Sequence, residues 1–63
     1  MPKYGEVRRR LQRDGWRIAR QRGSHEQWKH PEKPERLVTL AGADSKDIPP
    51  GMWSQIQRDA GWK

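Results

Sequence analysis

Apolar side chains recur along the chain at two different periods. Tyr4, Val7 and Leu11 are spaced three and four apart, which puts them on one helical face. Arg8, Arg9, Arg10, Gln12 and Arg13 fill the remaining faces, so the pattern predicts a helix over residues 3–14. Gly15 suits the left-handed position beyond a helix end, and Trp16 after it can fold back on the last turn. A period of two then takes over. Residues 16–21 and 25–30 read as two strands of a hairpin, and residues 36–40 as a third strand with Val38 and Leu40 facing inward. Pro31-Glu32-Lys33-Pro34-Glu35 is expected to be a loop, because proline has no N–H for a ladder. Ala41 to Asp47 reads as a polar connection. Helical spacing returns with Met52, Trp53, Ile56 and Ala60, after a start at Pro49-Pro50, where a proline is tolerated in the first turn. Gln12-Arg13-Asp14-Gly15-Trp16 is echoed by Gln57-Arg58-Asp59-Ala60-Gly61-Trp62, which suggests two helices stopped by one device.

Parity gives the hairpin a register. Directly paired residues share a face, so core-facing Trp16 and Ile18 need core-facing partners. Pairing Ile18 with Trp28 and Trp16 with His30 meets this, and it calls for a three-residue loop, Arg22-Gly23-Ser24. Arg17, Ala19, Gln21, His25, Gln27 and Lys29 then face away from the core, and His30 faces inward near Trp16. The element order is α-β-β-β-α. An α+β fold follows, a three-stranded antiparallel sheet with two helices on one face, because each element has one apolar side to bury.

Length and composition limit what this fold can hold. A chain of 63 residues makes one domain, spanning 1–63, with a small core. There is no Phe, so four Trp carry the aromatic bulk, joined by Leu11, Ile18, Val38, Leu40 and Ile56. The lack of Cys excludes a disulfide framework and thiolate metal sites. No apolar run approaches a membrane span or a signal peptide, so a cytoplasmic protein without a membrane partner is expected. Fourteen Lys and Arg against eight Asp and Glu leave a net charge of +6. Such an excess favours an anionic partner, most often nucleic acid, over an inert solvated surface.

The chemistry narrows by elimination. With two His and no Cys, a zinc site is not expected, because catalytic zinc needs about three protein ligands, and no metal is assigned. Gly23 is isolated, so there is no phosphate-cradling glycine loop, and no cofactor signature is present. Ser24 and His25 are strand neighbours that point apart, so they are not a nucleophile–base pair. What remains is His25, a proton-exchanging group among cations and amides. RNA supplies its own nucleophile, the 2′-hydroxyl, so one histidine and a few cations suffice to cleave it.

Several motifs read together resemble one family. They are Asp14-Gly15-Trp16, Arg20-Gln21-Arg22, Gly23-Ser24-His25, Trp28, His30-Pro31, Leu37-Val38-Thr39-Leu40, Asp47-Ile48-Pro49 and Ala60-Gly61-Trp62. In this order they resemble the HicA-type toxins, small bacterial mRNA interferases, from about Tyr4 to Trp62. The resemblance implies a double-stranded-RNA-binding-domain-like fold and ribosome-independent, metal-independent endoribonuclease activity on mRNA in a type II toxin–antitoxin system. It puts His25 in the catalytic position and implies a HicB-type antitoxin that occupies the active surface. Two positions depart from the family pattern. Glu26 stands where a second histidine is frequent, and Ala41-Gly42-Ala43-Asp44 stands where a proline and a histidine often follow the third strand.

Each residue also has a plainer reading. Gly23 is first a turn residue whose N–H can meet a phosphate, and Ser24 first a bond to the turn backbone. Arg17, Gln27 and Lys29 share the expected face of His25, where RNA contact and simple solvation are equal readings. Lys29 is the one candidate for a second acid or base. Arg8, Arg9, Arg10 and Arg13 either extend the basic surface or line a solvated helix. Trp28 and His30 are expected to be structural. Two rival functions follow: a non-catalytic double-stranded-RNA-binding-type module, and an assembly protein whose basic surface meets an acidic partner.

Overall fold

The computed structural model describes residues 2–62. Helix α1 (Tyr4–Arg13), strands β1 (Arg17–Arg22), β2 (His25–His30) and β3 (Lys33–Leu40), and helix α2 (Pro50–Ala60) follow in the expected order. The strands form one antiparallel sheet with β2 in the centre. The core unites Tyr4, Val7 and Leu11 of α1, Ile56 and Ala60 of α2, and Trp16, Trp28, Val38, Leu40 and Ile48. Burying each large side chain contributes about 2–3 kcal/mol, so two fully buried tryptophans dominate a core this small.

Both helices stop by the same arrangement, as the echoed motif suggests. Gly15 N–H donates to Gln12 O and Trp16 N–H to Leu11 O; Gly61 N–H donates to Arg58 O and Trp62 N–H to Gln57 O. This is a Schellman motif at each end, with a glycine at positive φ supplying the reversal. At the start of α1, Lys3 N–H donates to the Glu6 carboxylate at 3.2 Å. Lys33 Nζ and Arg36 Nη1 donate to the last-turn carbonyls of Ala60 and Arg58, at 3.4 and 2.6 Å, and so tie β3 to the end of α2.

The hairpin departs from the expected register. Ile18 does pair with Trp28, and Arg17 with Lys29, but a bulge at Ala19 then shifts the ladder. Beyond it Arg20 pairs with Gln27, Gln21 with Glu26 and Arg22 with His25. The turn is therefore the two residues Gly23-Ser24, not three. Its positive φ of 60° falls on the first central residue, as a type II′ turn requires. The bulge absorbs the extra residue that a longer loop would have held. Trp16 lies outside β1, and it meets His30 ring edge to face, centroids 5.4 Å apart, without a ladder pair.

Other expectations need correction. Ile18 is 44% exposed, because β1 is an edge strand and its end lacks cover. Met52 is 39% exposed, although its sulfur accepts a bond from the Tyr4 hydroxyl. The expected loop over residues 31–35 is a two-residue turn, Pro31-Glu32, since His30 already pairs with Lys33. Pro34 is tolerated inside β3 because that strand is an edge and its ladder is irregular there. Among the described residues, no helix is long and apolar enough to cross a membrane.

Candidate RNA-facing site on the open sheet face

The bulge decides which side chains stand beside His25. Trp28 is buried against the helices, so alternation along β2 puts His25, Gln27 and Lys29 on the opposite, open face. Their β1 partners share that face: Arg22, Arg20 and Arg17. Arg20, Arg22, His25 and Gln27 line one hollow of about 220 Å³. Uninterrupted alternation would have placed Ala19 and Gln21 there. Gln21 instead shares the helix side with Glu26, and Ala19 is taken up by the bulge.

The sequence-predicted residues are thus only partly gathered. Gln27 lies with His25. Arg17 and Lys29 share the face but line a separate hollow near Pro31 and Pro34. Lys29 is four residues along the strand from His25, roughly 13 Å at the rise of a β-strand. That separation is too great for both groups to act on one phosphate oxygen. Gly23 sits at the exposed turn, and no heavy atom lies within 4 Å of where a Cβ would be. Ser24 faces the helix-side hollow with Arg8, Gln21 and Glu26. Arg20 and Arg22 were missed as site residues because only the bulge turns them outward; the Arg20-Gln21-Arg22 alternation was the visible signal.

The two positions where the chain leaves the family pattern meet in one network. Glu26 accepts from Arg8 Nε at 2.9 Å and from the indole N–H of Trp28 at 3.2 Å. Arg8 also reaches Asp44 at 2.6 Å and the carbonyl of Gly42. The Arg8 and Glu26 side chains are only 16% and 13% exposed. Burial of Arg8 lowers its pKa, but hydrogen bonds and charge from Glu26 and Asp44 outweigh this and raise it above its ordinary value. Arg8 is therefore neither a solvated helix residue nor part of the open basic surface. It locks α1 to β2 and to the loop after β3.

His30 is structural, as expected. Its Nε2 lies 2.8 Å from the carbonyl of Asp14, and its Nδ1 accepts from Glu32 N–H at 3.1 Å. With Nδ1 accepting, Nε2 is the ring nitrogen that donates to the Asp14 carbonyl. His25 and His30 thus serve opposite faces, and among the described residues no three of His, Asp and Glu gather to hold a metal ion.

Charge is divided in the same way. Among the described residues the ion pairs engage Lys3, Arg8 and Arg13. Arg17, Arg20, Arg22 and Lys29 enter none of them, so the open face carries uncompensated positive charge around His25.

No curated protein matches this chain. A family model does, described as the HicA toxin of bacterial toxin-antitoxin, over residues 4–62. Membership implies a toxin role and an antitoxin partner. With nearly the whole chain matched and the α-β-β-β-α fold in place, the protein belongs to the HicA toxin family.

Proposed function

We propose that this toxin is a metal-independent endoribonuclease that cleaves mRNA, with His25 as its proton-transfer residue. The observation that carries the reading is the position of His25. It stands exposed on the open sheet face, in a hollow shared with Arg20, Arg22 and Gln27. Proton transfer needs an accessible imidazole within reach of the reacting oxygens, and cations nearby favour a phosphodiester there.

The reaction balances without any added reagent. The 2′-oxygen attacks the adjacent phosphorus and loses its proton; the bond from phosphorus to the 5′-oxygen breaks, and that oxygen gains a proton. The products are a 2′,3′-cyclic phosphate and a 5′-hydroxyl end. His25 serves one of these transfers and solvent the other, since Lys29 is too far along the strand. A HicB-type antitoxin would silence the toxin by covering this face.

The test is purified His25→Ala protein incubated with RNA in chelator. His25 is exposed, so the variant is expected to fold normally and to lose roughly 100-fold or more of the cleavage rate. Cleavage at the parent rate by folded His25→Ala sinks the mechanism. A parent protein that binds RNA without cleaving it is the double-stranded-RNA-binding-type module instead.

A further inference from the structure

We propose that Arg20 and Arg22 form a phosphate-binding pair, and that the Ala19 bulge is the device that presents them. This assignment rests on the reading of the His25 face as the RNA-binding face.

Three observations converge. The register sets Arg20 opposite Gln27 and Arg22 opposite His25, on the open side of the sheet. The same four residues line one hollow of about 220 Å³, large enough for a phosphodiester group. Neither arginine is held in an ion pair among the described residues, whereas Lys3, Arg8 and Arg13 are. Lys33 and Arg36 are likewise occupied, on the carbonyls that end α2. The pair beside His25 is free to bind an anion.

Arginine suits this task better than a point charge. Its planar fork presents parallel N–H groups to two phosphate oxygens at once, and it stays charged at any working pH. Two forks flanking one hollow would hold the phosphate in a fixed orientation beside the imidazole. They would also face the non-bridging oxygens, where negative charge grows during attack by the 2′-oxygen. Arg17 and Lys29 would then hold the strand further along, four β2 positions from His25.

A charge-conserving swap tests the assignment. Arg20→Gln combined with Gln21→Arg keeps composition and net charge but moves one guanidinium to the helix side. The probe is a short single-stranded RNA methylated at every 2′-oxygen, which lacks its nucleophile and so reports binding alone. The swap is expected to weaken binding about tenfold and to reduce the salt slope of log K by about 0.7. Arg22→Gln, an exposed single change that leaves the core untouched, is expected to do the same, and it carries the test if the swap fails to fold. A folded swap protein and a folded Arg22→Gln protein that both bind like the parent overturn the proposal, as does a parent that does not bind the probe. A parent that binds the probe through these arginines but never cuts unmodified RNA leaves the pair standing and removes the nuclease reading.

Discussion

Glu26 and His25 are neighbours in sequence and face opposite sides of the sheet. The consequence is specific to this chain: the carboxylate is committed to Arg8 and Trp28, on the helix side of the sheet. Restoring the histidine that the family pattern often carries should therefore not help catalysis. Glu26→His is expected to leave RNA cleavage within about threefold of the parent, since the side chain lies outside the His25 hollow. It should cost about 2 kcal/mol in stability, because Arg8 loses its better-buried partner and keeps only exposed Asp44 and one carbonyl. Urea unfolding measures the cost, and a rise in cleavage rate would show that position 26 reaches the substrate. The Arg8 side of the pair adds no pH dependence in any working range. A base whose pKa is raised gives its full stability below the ordinary value and loses it only as pH climbs through the raised one, above any working pH. None of this network was legible in the sequence, because its partners lie 18 and 36 residues apart and no period links them.

Elements were more legible where their signals were local. Both helix ends follow from a glycine and a tryptophan at fixed offsets, and both carry the same pair of backbone bonds. The hairpin was legible at one end only. Parity found the pairing of Ile18 with Trp28, but parity assumes unbroken alternation, and Ala19 gives no glycine signal for a bulge. The bulge changes the open face, which carries Arg20 and Arg22 where unbroken alternation would put Ala19 and Gln21. Ile48 was missed in the core for a related reason, being a lone apolar residue in a polar segment. Element ends also separate two glycines with similar backbones. Gly15 and Gly23 both have positive φ, but a Cβ at Gly15 would lie 2.9 Å from His30 Nε2, whereas Gly23 has open space. Gly23→Ala should cost about 1 kcal/mol, the backbone strain alone. Gly15→Ala should cost about 3 kcal/mol, since it also displaces His30 from its bond to Asp14. Paired thermal melts decide the matter, and equal losses would mean that His30 yields freely.

At the scale of the whole molecule, the net charge of +6 is not spread evenly. On the helix side several cations are committed to carboxylates, carbonyls or an aromatic ring: Arg8 to Glu26 and Asp44, Lys33 and Arg36 to the end of α2, and Arg10 over Trp62 at 4.0 Å. The open sheet face keeps Arg17, Arg20, Arg22 and Lys29 outside any described ion pair. On the proposed RNA-binding reading, this division sets how steeply binding responds to salt. Each phosphate neutralised on a single strand contributes a slope of about −0.7, so four sheet-face cations give a slope of log K against log salt near −3. Binding of a non-cleavable single-stranded RNA should then weaken roughly fiftyfold between 50 and 200 mM salt. If the whole basic complement took part, including the helix-side arginines, the slope would approach −10 and the loss would be roughly a millionfold. A titration series at several salt concentrations separates the two. A slope near −10 would mean that RNA wraps both sides of the molecule, and a slope near zero that phosphates are not what this face binds.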